Sequence, residues 1–122
     1  MTRRAAARAA LTPPRSDCPI ACTLDLIGDR WTLLIIRDLM LGKRRFSEFL
    51  AAGEGVTTNV LAARLKRLER AGLVERFRYQ ERPPRSEYRL TQAGKELAPV
   101  LNAMLDWGRE HIPGVGKGRS TR

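Results

Sequence analysis

The succession of hydrophobic periods along the chain predicts a mainly α-helical domain with one small β-hairpin, a winged helix-turn-helix. Three observations predict it. Apolar residues recur with a helical repeat through most of residues 17–71 and again over 91–112. Two short helical stretches meet at a tight glycine turn, Gly53-Glu54-Gly55, which outlines a helix-turn-helix. The repeat then falls to two over residues 74–79 and 87–90, and two alternating runs joined by a proline-bearing loop read as a hairpin.

Each element has a local cause. Asp17 is placed to cap a first helix, and Pro19 suits its opening turn, where a missing N–H costs nothing. Ile20, Leu24 and Ile27 form one apolar stripe, and Gly28 stops the helix. Asp29 can cap the second helix, whose stripe is Trp31, Leu34, Ile35 and Leu39, ending at Gly42. Both stripes are expected in the core, with Trp31 as a packing anchor. A short helix over residues 46–51 turns Phe46, Phe49 and Leu50 inward. Thr57 or Thr58 caps a third amphipathic helix to Ala71, and Gly72 is placed to end it. In the hairpin, Glu75, Phe77 and Tyr79 share one side, and the loop 80–86 carries Arg82, Pro83, Pro84 and Arg85. Thr91 caps a last helix to about Ile112, in which Pro99 removes a hydrogen bond and predicts a kink or a restart.

The chain of 122 residues, 43% apolar, has room for one domain with a real core. Its net charge of +10 is uneven. Arg3, Arg4, Arg8 and Arg15 occupy residues 1–16 without an acid, and Lys117, Arg119 and Arg122 fall in the last six. The expected organisation is a disordered basic arm over 1–16, one domain over 17–112, and a disordered basic tail over 113–122. This composition excludes a wholly disordered chain and a collagen repeat. No apolar run is longer than that of residues 33–36, far short of the ~20 needed to span a bilayer. The arm lacks the hydrophobic segment of a secretory signal, so a cytoplasmic protein is expected.

The helix after the glycine turn is the most informative. With Leu61, Leu65 and Leu68 at the centre of its buried stripe, Asn59, Ala63, Lys66, Arg67 and Arg70 fall on the opposite face, with Ala62 at its edge. Glu69, the one acid of this helix, lies off that centre. Such a face suits a major groove: small residues admit the backbone, Asn bonds adenine, and Lys or Arg reach guanine or phosphate. The free N–H groups near Thr57 and Thr58 offer a phosphate site. A solvated surface helix can carry the same residues, so the flanking basic elements carry weight. Lys43, Arg44 and Arg45 open the preceding helix, and Arg82 and Arg85 occupy the loop that would be the wing. Double-stranded DNA is the expected partner.

On the last helix Leu97, Leu101, Met104, Gly108 and Ile112 lie near one line, with Val100 and Trp107 to one side and Leu105 to the other. A helix packed on one small domain needs an apolar stripe of ~100°. This wider arc points either to a partner subunit touching Leu101, Met104, Leu105, Trp107 and Ile112, or to a helix sunk deeper in its own core.

Several segments are also familiar as a set. They are Cys18-Pro19-Ile20, Leu26-Ile27-Gly28-Asp29-Arg30-Trp31-Thr32-Leu33-Leu34, Gly42-Lys43-Arg44-Arg45-Phe46-Ser47-Glu48-Phe49 and Gly72-Leu73-Val74. Pro83-Pro84-Arg85, Glu87-Tyr88-Arg89-Leu90-Thr91 and Pro99-Val100-Leu101 follow in order. From about Cys18 to Glu110 the chain thereby resembles the HxlR-type family of bacterial transcriptional regulators, small relatives of the MarR winged-helix proteins. The resemblance implies a homodimeric transcription factor, by default a repressor, on a pseudo-palindromic operator. It further implies a recognition helix in the major groove, a wing on the minor groove or backbone, and dimerisation through the N- and C-terminal helices. Ala62 and Ala63 stand where relatives often carry larger polar residues, Arg67 where an acid is common, and Ser86 where an apolar residue is common. The operator sequence therefore does not carry over.

Cys18 opens the first helix, and a helix N-terminus favours the thiolate. Asp17 opposes that effect and the arginine-rich arm supports it. The resemblance implies that a cysteine at this Cys-Pro position can sense oxidants or electrophiles; the alternative is a small residue packed near the dimer contact. Cys22, one turn on, fits an intrahelical disulfide poorly. With His111 remote in sequence, no metal site is expected, and no cofactor.

Other function classes remain as rivals. Phe77, Tyr79 and Tyr88 could stack RNA bases, although packing the hairpin onto the helices is their expected role. A protein-interaction adaptor would not need the basic helix face. Catalysis is not expected: the chain has no nucleophile–base pair and no phosphate loop, and Gly28 separates Asp25 from Asp29. A small-molecule or oxidant signal at the dimer remains open.

Overall fold

A computed structural model describes residues 15–116. The expected arm and tail lie outside the described residues, apart from 15–16 and 113–116. Among these residues six helices and two strands follow in the order α1 (Pro19–Ile27), α2 (Thr32–Met40), α3 (Phe46–Leu50), α4 (Thr58–Arg70), β1 (Val74–Gln80), β2 (Arg85–Leu90), α5 (Gln92–Lys95) and α6 (Ala98–His111). The fold is mainly helical with a two-stranded antiparallel hairpin, a winged helix-turn-helix. No helix among the described residues is long and apolar enough to cross a membrane.

The core lies where α2, α3 and α4 meet the base of the hairpin. Ile35, Ile36 and Leu39 of α2 pack with Phe49 of α3, Leu61, Leu65 and Leu68 of α4, and Leu73 and Val74 at the start of β1. α4 therefore buries the stripe its period predicts. α2 is more deeply sunk than its period suggests, since Thr32 and Asp38 are buried as well. The Asp38 carboxylate is paired with Arg37 at 3.0 Å, and Arg37 reaches Glu54 in the glycine turn at 3.2 Å. Leu34, expected in the core, is only half-buried, as is Trp31.

The first helix departs from expectation. Cys18, not Asp17, holds the N-cap position, and Ser16 Oγ accepts the Cys18 N–H at 3.0 Å. Only Ile27 of its stripe is buried, whereas Ile20 is 72% and Leu24 59% exposed. The periodicity correctly marks an apolar face, but this monomer does not cover it.

In the hairpin Val74 pairs with Leu90, Arg76 with Tyr88 and Arg78 with Ser86; a slip beyond Arg78 then sets Gln80 opposite Arg85. The strands thus run further than expected, and the loop shrinks from 80–86 to a turn over residues 81–84 with a cis Arg82–Pro83 bond. Arg85 opens β2 rather than lying in the loop. Tyr88 packs on the core, with its ring edge toward Phe49 at 6.3 Å between centroids. Phe77 and Tyr79 do not: they lie exposed beneath the guanidinium groups of Arg89 and Arg45, at 4.7 and 4.5 Å.

The expected last helix is two helices. Thr91 caps α5, its hydroxyl accepting from the Gly94 N–H at 3.2 Å and donating to the Gly72 carbonyl at 2.6 Å. The chain restarts at Leu97, with Pro99 in the first turn of α6, where its missing N–H leaves no bond unmade. Gly94 is required by contact: a Cβ there would stand 2.2 Å from the Leu73 carbonyl oxygen. Gly72 ends α4 with φ at 75°, a left-handed position that suits glycine.

Candidate nucleic-acid interface

α4 is set by a cap at one end and the glycine turn before it. Thr57 Oγ1 accepts the Val60 N–H at 3.3 Å, and Gly53 and Gly55 take φ values of 92° and 83° that bend the chain into the helix. Opposite the buried leucines, Asn59, Ala62, Ala63, Lys66 and Arg70 are all exposed, as are Thr57 and Thr58 at the N-terminus. Glu69 is drawn aside by Arg76 of β1 at 3.5 Å, which keeps the acid off this face and ties α4 to the hairpin.

Arg67 does not join that face. Its guanidinium donates to the Asp25 carbonyl at the end of α1 and lies 4.0 Å from the Asp29 carboxylate. Arg67 sits at the edge of the outward arc, and these nearby acceptors draw it to the flank. Arg64, which the sequence did not single out, reaches the same Asp29 at 2.8 Å. No local pattern pairs residues so far apart in the chain. Partial burial alone would raise the Asp29 carboxyl. The Thr32 hydroxyl, Arg64 and the Trp31 and Thr32 N–H groups outweigh it and hold the group well below the usual carboxylate range.

The basic run before α3 is divided. Arg44 is turned inward, donating to the Leu39 carbonyl at 2.9 Å and the Lys43 carbonyl at 3.0 Å, so it satisfies the C-terminal end of α2 rather than offering a free charge. Arg45 is exposed, stacks on Tyr79 and pairs with Glu87 at 3.8 Å; Lys43 is half-buried. The N–H groups of Arg44 and Arg45 bond the Glu48 carboxylate and hold it below its ordinary range. Arg82 and Arg85 are exposed at the turn and at the start of β2.

A second exposed surface is apolar. α6 buries none of its residues completely, and Met104 and Trp107 are 55% and 60% exposed. Leu101, Met104 and Leu105 line a groove of about 900 Å³ with Ile20 and Leu24 of α1. Trp107 lies exposed further along α6 and Ile112 just past its end, with Trp107 stacked on His111 at 4.5 Å. Cys18 is exposed beside the start of α1, and the Cys22 thiol donates to the Ser16 carbonyl at 3.0 Å. Both thiols are free. Among the described residues no His, Cys, Asp and Glu cluster could hold a metal.

A helix braced on the core with a hairpin beside it is a geometry shared by known regulators. The profile of the HxlR-like helix-turn-helix family matches residues 26–115. The chain belongs to that family. It is 38% identical over 105 residues to the HTH-type transcriptional regulator YdeP of Bacillus subtilis (strain 168), covering 86% of this chain and 82% of YdeP. It is 43% identical over 90 residues to the HTH-type transcriptional regulator Rv3095 of Mycobacterium tuberculosis, 74% of this chain but only 56% of that longer protein. Among solved structures, the redox regulator HypR in its reduced form superposes with a TM-score of 0.73 at 35% identity, over 79% of this chain and 95% of HypR. This HxlR-like protein is thus an HTH-type transcriptional regulator and not an enzyme.

Proposed function

We propose that this HxlR-like regulator is a homodimeric repressor that binds a pseudo-palindromic operator in double-stranded DNA, acting in the cytoplasm. The observation that carries this reading is the outward face of α4, where Asn59, Ala62, Ala63, Lys66 and Arg70 are exposed without an acid. In the major groove Asn59 would bond an adenine edge, Lys66 and Arg70 would reach guanine or phosphate, and the alanines would admit the backbone. Arg82 and Arg85 would hold the adjacent phosphates, with Lys43 and Arg45 near the opening of α3. The apolar surface of α1 and α6 supports a two-fold partner, so that two copies of α4 read half-sites ~34–36 Å apart. Repression needs no further domain, because a bound dimer occludes a promoter.

The test is a gel shift with the DNA upstream of the protein's own gene against a scrambled duplex. Specific binding should fall ~10³–10⁵-fold between 50 and 200 mM salt if about 6–10 phosphates are contacted. Equal retention of scrambled DNA, or binding indifferent to salt, would move the protein-interaction adaptor to the front. Preference for single-stranded RNA would favour the exposed Phe77 and Tyr79.

A thiol-responsive form is favoured by one observation, the exposed Cys18 at the start of the helix that carries Ile20 and Leu24. The likeness to HypR, described as a redox regulator, supports it. Oxidation or alkylation of Cys18 would shift the first turn of α1 and change operator affinity. Diamide or a quinone should release the wild type from its operator and leave Cys18→Ser bound; indifference of both retires the idea.

A further inference from the structure

The corner between α1 and α2 holds a carboxylate with more partners than a helix cap needs. Oδ2 of Asp29 accepts from the Trp31 N–H at 3.0 Å and the Thr32 N–H at 3.2 Å, which caps α2, and also from Nε of Arg64 at 2.8 Å. Oδ1 accepts from the Thr32 hydroxyl and lies 4.0 Å from Nη1 of Arg67. Arg67 donates in turn to the Asp25 carbonyl, and the Asp25 side chain pairs with Arg15 ahead of α1. Both partners of the central pair are largely shielded, with 29% of the Arg64 side chain and 21% of the Asp29 side chain exposed. A shielded, charge-assisted contact keeps strength that a surface pair loses to salt.

The two arginines stand three residues apart on one flank of α4, between its buried stripe and the face bearing Asn59 and Lys66. A helix seated only on Leu61, Leu65 and Leu68 can roll slightly without exposing them. A roll of ~10° carries a side-chain tip ~5–6 Å from the axis through ~1 Å. That is larger than the distance range of a good hydrogen bond. The flank contacts therefore decide whether the outward side chains meet base edges.

We propose that Asp29 is a positioning residue for DNA recognition. Through Arg64 and Arg67 it fixes the roll of α4 against the α1–α2 corner, so that a displacement of α1 reaches the groove-reading face. The consequence at DNA rests on the function proposed above; the mechanical link stands without DNA. α1 is suited to be the moving part, because the same nine-residue helix carries the exposed Ile20 and Leu24 and ends at the Asp25–Arg67 contact. Helix shifts of ~1–2 Å at subunit interfaces are a common means of switching.

Two measurements on the full chain test this. Asp29→Asn retains an oxygen for the α2 cap and removes the ion pair. Without DNA it should raise amide exchange along residues 58–67 about tenfold more than along the hairpin, where only the global loss of stability acts. Unchanged exchange in α4 overturns the link. With DNA, Asp29→Asn and Arg64→Gln should each lower operator affinity about tenfold, and the double variant should lose no more than either single. Both variants should broaden the preferred half-site spacing and leave affinity for scrambled duplex as in the wild type. A merely structural role would lower the thermal midpoint but leave spacing preference and the operator-to-scrambled ratio alone; that result, or additive losses, overturns the proposal. If the wild type itself does not discriminate operator from scrambled DNA while exchange in α4 responds, the repressor reading fails and the link stands.

Discussion

The outward face of α4 and the apolar face shared by α1 and α6 are both exposed, yet they are held differently. α4 is anchored on its other side by Leu61, Leu65 and Leu68, all essentially inaccessible. α1 contributes only Ile27 to the buried residues and α6 contributes none. The polar face is thus rigid on the monomer's own core, whereas the apolar face belongs to helices that this chain alone leaves half-covered. Large apolar patches on a small domain mark interaction surfaces. Under the function proposed above, the first face would read DNA and the second would assemble the dimer.

A charge in the assembly face should have the largest effect. Met104→Asp would bury an unpaired carboxylate in each copy of a two-fold contact, a cost of about 3–5 kcal/mol per buried charge. Sedimentation should then show a monomer at micromolar concentration, with operator affinity reduced by two orders of magnitude or more. A dimer that persists unchanged breaks the assignment of α6.

Changes in the reading face should leave the dimer intact. Asn59→Ala and Lys66→Ala are each expected to cost ~1–3 kcal/mol on the operator and to relax sequence preference at one position per half-site. Competition binding against single-base operator variants measures this. Loss of dimerisation in either variant would erase the distinction between the two faces.

Between the faces lies Asp29, and acid should sharpen its role. Its carboxyl is held below the ordinary value near 3.8, so its contribution to stability is complete above that value. It is lost progressively as pH falls below it toward the folded-state value. Wild type should exceed Asp29→Asn by about 1.5–3 kcal/mol at pH 7, the range of a hydrogen bond to a charged group. The gap should narrow below pH 4 in urea titrations. A gap independent of pH would mean that the ion pair with Arg64 contributes nothing.

These differences also explain what the sequence made legible. Helices and hairpin were readable because their causes are local: apolar period, Thr57 and Thr91 caps, and the proline turn. Ile20 and Leu24 were placed on an apolar face correctly, but periodicity does not say whether the cover is the chain's own core or another molecule. Arg44 and Arg67 look like free cations in a linear reading. In the fold, the carbonyls of Leu39 and Lys43 capture one, and Asp25 and Asp29 capture the other. Asp29 read as a cap, and it is one; its reach to Arg64 depends on tertiary contact that no spacing encodes. Leu101, Met104 and Leu105 were marked by an arc wider than one small domain needs; in the fold α6 buries none of its residues, and the three line a groove with Ile20 and Leu24 of α1.

The hairpin edge is the mildest contrast of the three. It is neither braced by the core like α4 nor apolar like α6, and its exposed cations Arg82 and Arg85 lie within and just after a turn of four residues. Such groups suit phosphate, whose recognition asks for charge and reach rather than fixed geometry. Arg85→Ala should therefore weaken operator and scrambled duplex by the same small factor. It should also lower the slope of log affinity against log salt by ~1. Titrations at four salt concentrations on both duplexes measure the two quantities together. A change in sequence preference with an unchanged slope would make Arg85 a base reader. The reading face would then extend from α4 onto β2.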